Sequence, residues 1–149
     1  MPLHRIFHHP SAFTQAEKQS LTERITEIYT GGAGLPPFYV VVLFISVNTE
    51  DFFVGGKTTD KFVRIVVQHL ARQIPNKEGK KAFSDKYEAA IAPFIKDKGF
   101  DWEVATEEVP PDMWRENGLT PPAPNTPAEK EWFRLNRPAP YEGKSFLDL

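Results

Sequence analysis

Twice along this 149-residue chain a strand-like stretch is followed by an amphipathic helix and then by another strand. This doubled pattern constrains the fold more than any other feature. In the first round, Leu3, Ile6 and Phe7 alternate loosely with His4, Arg5 and the His8-His9 pair, which predicts a short strand over 3–9. Pro10-Ser11 ends it, and Thr14-Gln15-Ala16-Glu17 reads as a capping box with Thr14 as N-cap. Behind it Leu21, Ile25 and Ile28 recur at i, i+4 and i+7, so the helix has one buried face. Gly31-Gly32-Ala33-Gly34 offers the left-handed conformation that closes a helix, and Pro36-Pro37 blocks its continuation. The run from Phe38 to Ile45 is β-branched and aromatic throughout, which predicts a strand buried on both faces. Strand, helix and strand in that order predict a parallel pair with a right-handed crossover.

The second round begins after a turn at Gly55-Gly56. Over 62–70, Val63, Ile65 and Val67 alternate with Phe62, Arg64 and Val66, a strand pattern. A helix is expected across 77–98, with Phe83, Tyr87, Ile91 and Phe94 on one face and a kink or early stop at Pro93. Residues 101–109 form a last strand, closed by Pro110-Pro111. The chain therefore reads as α/β (α+β): two tandem β-α-β units, a four-stranded mixed sheet, and two helices on one face. The halves run over about 2–57 and 58–118. The sheet's other face is expected to be bare and apolar, a surface that invites further copies of the chain.

Eight of the 14 prolines fall from Pro110 onward. A helical turn is expected over Asp112–Asn117 with Gly118 as its cap. Residues 119–149 are expected to form an extended, proline-rich arm. Its aromatic side chains Trp132, Phe133, Tyr141 and Phe146 argue against disorder and for packing on another surface, such as a neighbouring subunit.

The composition removes several function classes. With no cysteine, disulfides, thiolate metal sites and cysteine nucleophiles are excluded. The first ten residues hold three histidines and an arginine, unlike a secretory leader, and the longest apolar run falls far short of the ~20 residues that span a bilayer. A soluble, cytoplasmic protein is expected. The net charge of −2 is spread evenly, without a basic stripe for nucleic acid or a polybasic membrane patch. The loops and boxes of nucleotide-binding, zinc-peptidase and serine-hydrolase chemistry are absent. His8 and His9 are a poor metal pair, because neighbours on a strand point to opposite faces. No metal or cofactor is expected.

The unusual feature is Pro2, which opens a strand directly. Removal of Met1 ahead of a small residue is the expected processing, and it would leave a secondary amine at the edge of a sheet. Such an amine is a base when neutral, an acid when protonated, and a nucleophile toward carbonyls. An ordinary α-amino group titrates at about 7.7–8.0, and burial or a nearby cation lowers that value into the range of a general base. Alone, a proline at this position is also consistent with nothing more than a rigid first residue.

The rest of the chain gives that proline a context. MPLHRIFHH, a helix from Thr14, a buried strand and Gly55-Gly56 resemble the N-terminal half of the tautomerase superfamily. The stretch EEVPPDMWRENG, a proline-rich loop and EWF resemble the corresponding stretch of cis-3-chloroacrylic acid dehalogenase and its relatives. The resemblance covers nearly the whole chain, as one domain over 1–149. It implies a homotrimer, a small carboxylate substrate, and Pro2 as catalytic acid or base. It places a carboxylate-binding arginine at or near Arg72, in the run His69 to Arg72, and a water-activating glutamate on Glu116. Each has a bland alternative: a solvated strand-end residue for Arg72, an exposed helical-turn residue for Glu116.

Three positions depart from the dehalogenase pattern. The histidine at the end of the first helix is replaced by Tyr29, a second carboxylate-binding arginine falls near Pro75, and the tyrosine of the last strand is replaced by Ala105. Arg64, His69 and Lys77 are candidates to supply the missing cation. The surviving set of Pro2, Arg72 and Tyr29 favours keto–enol tautomerisation of enolic 2-oxo acids. A hydratase or dehalogenase acting through Glu116, and a non-enzymatic oligomeric scaffold that keeps the fold, are the alternatives.

Overall fold

The structure is a computed structural model and describes residues 2–149. In chain order its elements are β1 (Leu3–His8), α1 (Gln15–Gly32), β2 (Val41–Ser46), β3 (Phe53–Val54), β4 (Lys57–Thr58), β5 (Phe62–His69), α2 (Lys77–Ile91), β6 (Asp101–Glu108) and α3 (Pro127–Leu135). The main sheet has the order β2-β1-β5-β6. Within it β1 runs parallel to β2, β5 parallel to β6, and the two pairs meet antiparallel at β1/β5. It is the four-stranded mixed sheet of two β-α-β units read from the sequence.

Local chemistry explains the first unit. Thr14 accepts from the Glu17 amide while the Glu17 carboxylate accepts from the Thr14 amide, so the capping box is complete. Leu21, Ile25 and Ile28 are buried against the sheet as their spacing requires. The chain leaves α1 through Ala33 and then Gly34, whose φ of 63° is left-handed. Gly55 and Gly56, both at positive φ, make the tight turn of the small β3/β4 hairpin, a geometry that a side chain would strain. Between the helices and the sheet lie Ile6, Ile25, Val63, Ile65, Val67, Tyr87 and Ile91, all essentially inaccessible.

The structure revises several expectations. The run 38–45 is not one doubly buried strand. Phe38 and Tyr39 belong to a short 3₁₀ turn set by Pro37, and only Val41–Ser46 pairs. That strand is half-buried because it lies at the sheet's edge. Helix α2 stops at Ile91, where Pro93 enforces a tighter 3₁₀ turn, and a left-handed Gly99 leads into β6.

The helix-free face of the sheet is mixed rather than uniformly apolar. Leu3, Phe7, Leu43, Ile45 and Val66 share it with an Arg5–Gln68 contact and an Arg64–Glu103 pair of 2.6 Å. The alternation that buries one face of β5 and β6 puts their polar residues on the other.

The C-terminal segment differs most. The expected turn over Asp112–Asn117 is a 3₁₀ turn over Pro111–Met113. It is followed by a tight reversal at Asn117-Gly118 that pairs Glu116 with Leu119. Beyond it the chain is not simply extended. Thr126 caps α3 by accepting from the Glu129 amide, Pro127 takes the first helical position, and Asn136 closes the helix in a left-handed conformation. Of its aromatics Phe133 stays exposed, whereas the other three pack within the chain. Trp132 is fully buried against Phe38, Tyr39 and Tyr141 of the same chain, its indole N–H donating to the Ala139 carbonyl at 2.8 Å. Phe146 packs on Trp114.

Candidate active site

Pro2 sits at the start of β1, and its carbonyl accepts from the Val41 amide at 3.0 Å. This bond belongs to the parallel β1/β2 ladder, so the pairing that builds the first unit also fixes the proline. Pro2 is buried and borders a cavity of about 180 Å³. The end of α1 contributes Tyr29 and Gly32, the end of β5 and the turn after it contribute His69 and Arg72, and α2 contributes Phe83 and Lys86. Pro2, Tyr29, Arg72 and His69, four of the seven side chains singled out from the sequence, therefore meet on one cavity.

Glu116 is not among the residues that line it. Its carboxylate accepts from the Trp114 indole N–H at 3.1 Å, and its backbone makes both bonds of the reversal to Leu119. Of the three departures, Tyr29 lines the cavity and the other two lie elsewhere. Pro75 is exposed just ahead of the Asn76 cap of α2, and Ala105 pairs with Val66 on the helix-free face.

The polar groups around Pro2 are tightly organised. The Tyr29 hydroxyl lies 2.8 Å from Nε2 of His69. Burial pushes the Tyr29 hydroxyl well above the ordinary phenol range and holds His69 down to about 4, the Glu108 charge only partly opposing the latter. Deeper in, His4 Nδ1 lies 2.8 Å from the Tyr87 hydroxyl, and burial, with His69 adding to it, lowers His4 to about 3. The floor of the site is thus made of neutral aromatic groups. Arg72 and Lys86 are the charged side chains on its wall, and Arg72 is already engaged. Its Nη1 donates to Glu129 Oε1 at 3.1 Å and to the Ala71 carbonyl at 2.8 Å, while Nη2 donates to Glu129 Oε2 at 2.9 Å and to the Ala33 carbonyl at 3.4 Å. The carboxylate that meets the guanidinium fork is the chain's own, delivered by α3.

Of the candidates for the missing cation, His69 lines the cavity. Arg64 lies on the opposite face of the sheet with Glu103, and Lys77 is exposed at the start of α2. Lys86 and Glu129 are the site-forming residues that sequence reasoning missed. Lys86 was legible as a neighbour of the buried face, three residues after Phe83. Glu129 was legible as the last residue of a Thr126-x-x-Glu129 cap signature, which announces α3 but not its partner 57 residues away. No cluster of three or more potential metal ligands occurs among the described residues. A larger groove of about 450 Å³, between α2 and β6, shares Ile74 and Phe83 with the Pro2 cavity but lacks the proline.

The chain is 45% identical to RhCC from Rhodococcus jostii RHA1, with 93% of this chain and 99% of that one covered and a TM-score of 0.91. It is 40% identical to AU4130/APC7354, named a probable enzyme from the thermophilic fungus Aspergillus fumigatus, over 95% of this chain and 98% of that one, with a TM-score of 0.89. N1, a member of the cis-3-chloroacrylic acid dehalogenase family, is 18% identical over 89% of this chain and 90% of that one. Its TM-score of 0.70 shows a shared fold. No curated protein matches the chain. No helix is long and apolar enough to cross a membrane among the described residues. Residues 1–137 match the family described as "Putative oxalocrotonate tautomerase enzyme". The chain belongs to that family and, with it, to the tautomerase superfamily.

Proposed function

We propose that the protein is an isomerase that interconverts the enol and keto forms of small 2-oxo acids, with the amino-terminal nitrogen of Pro2 as acid and base once Met1 is removed. The observation that carries this reading is the meeting of Pro2, Tyr29, His69 and Arg72 on one small cavity. The neutral amine takes the proton of the enol hydroxyl. The electrons of that O–H bond form the carbonyl, and the C=C electrons take a proton from the ammonium at carbon 3. No atom is gained or lost and no cofactor is needed. Burial at this position disfavours a protonated amine, the direction that general base work near neutral pH requires. Tyr29 is placed to hydrogen-bond the carbonyl oxygen. A volume of about 180 Å³ suits a small acid, well below the roughly 300–1,000 Å³ of sites for drug-sized ligands. The active form is proposed to be a homotrimer, supported by the half-apolar helix-free face of the sheet.

Ketonisation of phenylenolpyruvate tests the reading. Native protein of confirmed Met1-free mass should accelerate it, and Pro2→Ala should lose about 10²–10⁴-fold of that acceleration. Equal rates for the two would refute the role given to Pro2.

A further inference from the structure

A carboxylate substrate needs a cation, and four of the five N–H donors of the arginine at the Pro2 cavity are already engaged. Both Nη atoms of Arg72 are held by Glu129. The Glu129 side chain is only 3% exposed and accepts a further bond from the Asn125 amide at 2.7 Å. Freeing Arg72 would strand a buried carboxylate, a costly exchange for one new ligand contact. His69 is neutral at physiological pH because burial lowers its affinity for a proton. Lys86 remains. It projects from α2 to the cavity wall, it is exposed, and it forms no ion pair among the described residues. Its Nζ would lie 3.5 Å from a Cβ built on Gly32, another residue of the same wall. The ammonium thus lies close beside Gly32, at a distance where an added methyl group would make ordinary van der Waals contact. Lys86 also borders a groove that Arg24 and Glu27 line, and no ion pair between Lys86 and Glu27 forms among the described residues.

We infer that Lys86, rather than Arg72, is the residue that binds the substrate carboxylate at the Pro2 cavity. Arg72 with Glu129 then forms a neutral wall that ties α3 to the end of α1. A lysine tip at the rim reaches an incoming acid at the cost of its own rotamer freedom alone. It leaves the cavity floor to the uncharged end of the substrate. The inference rests on the reading of Pro2 as the proton-transfer group, and two measurements separate the two claims.

The first is kinetic. Lys86→Met should raise KM for an enolic 2-oxo acid by roughly 10- to 100-fold, with kcat changed far less, as expected for loss of a charge-assisted contact made equally in ground and transition states. Lys86→Arg should recover most of the loss. The methyl ester of the same enol, which has no carboxylate, should be turned over equally by native protein and Lys86→Met. An unchanged KM in Lys86→Met, beside a Pro2→Ala variant that is inactive, would overturn the role of Lys86 and leave that of Pro2 standing. The second is calorimetric binding of phenylacetate, which needs no turnover. Lys86→Met should weaken it at least about tenfold, and the midpoint of thermal unfolding should hold because the side chain is exposed. Equal affinity in the two proteins would overturn the inference, whatever the kinetics of Pro2→Ala show.

Discussion

The Tyr29 hydroxyl and Nε2 of His69 are 2.8 Å apart, and the position of one proton decides what the pair offers a ligand. With His69 protonated on Nδ1, Tyr29 donates to the imidazole and presents only a lone pair. With the proton on Nε2, His69 donates to the tyrosine oxygen, and the phenol hydrogen is free to hold a carbonyl or enolate oxygen beside Pro2. The second tautomer suits the proposed chemistry. Tyr29→Phe should then lower kcat/KM by about 10–100-fold and cost about 1 kcal/mol of stability, since Nε2 loses its partner. Steady-state kinetics and urea unfolding check the two effects separately. The buried histidines also make the fold acid-sensitive in a definite window. His4 and His69 have folded pKa values near 3 and 4, below the unfolded value of 6.5, so the unfolded chain binds more protons between those limits. Their neutral burial is without penalty above pH 6.5. As pH falls from 6.5 toward 4, stability should drop by on the order of 1 kcal/mol per pH unit for each histidine. Urea midpoints at pH 7, 6 and 5 measure this, and a flat profile would contradict it. Pro2 was legible in the sequence from its place at the start of a strand, whereas Tyr29, His69 and Arg72 were reached through the resemblance to the dehalogenase family. The pairing of Arg72 was not legible, because it is made across the fold.

At the scale of elements, the tandem pattern was readable because each signal is local: a capping box at Thr14, a two-residue period in β5, glycines at the turns. What escaped was set by tertiary context. Nothing in the Phe38–Ile45 run distinguishes an edge strand from a central one. The stretch after Pro110 was dominated by its prolines, although Pro127 at a helix's first position favours the helix it opens. Helix α3 matters beyond its own packing because Glu129 carries its contact into the site. Glu129→Gln keeps the shape and the acceptor for the Asn125 amide but leaves Arg72 without a counter-charge. Removing one partner of a buried pair costs about 3–5 kcal/mol, and the 23% exposure of Arg72 argues for the lower end or somewhat less. Arg72→Gln alone should be comparably destabilising. The double variant should lose clearly less than the two single losses combined, because each single change already removes the shared interaction. Chemical denaturation of the four proteins gives the coupling, and strict additivity would mean that the pair contributes nothing of its own.

For the whole molecule, the two edges of the sheet are protected unequally. On β6, Asp101, Glu103, Glu107 and Glu108 put carboxylates along the last strand, a common defence against edge-to-edge pairing. On β2, the sequence Val41-Val42-Leu43-Phe44-Ile45-Ser46 carries no charge at all, and no strand covers its outer side among the described residues. Leu43 is 44% exposed there, next to Leu3, Phe7 and Ile45 on the helix-free face. An uncharged edge that continues into an apolar strip is an association hazard for a monomer and an interface for an oligomer. The same edge strand anchors Pro2 through the Val41 amide, so contacts that steady β2 also steady the residue proposed to move the proton. Assembly and activity should therefore be lost together. Native protein should run as a trimer by light scattering at micromolar concentration. Leu43→Lys, which places a charge in the strip at an exposed position, should shift it toward monomer with far-UV circular dichroism preserved, and ketonisation should fall with the trimer fraction. A native protein that is monomeric at these concentrations would refute the assembly. A Leu43→Lys monomer with full activity would refute its link to Pro2.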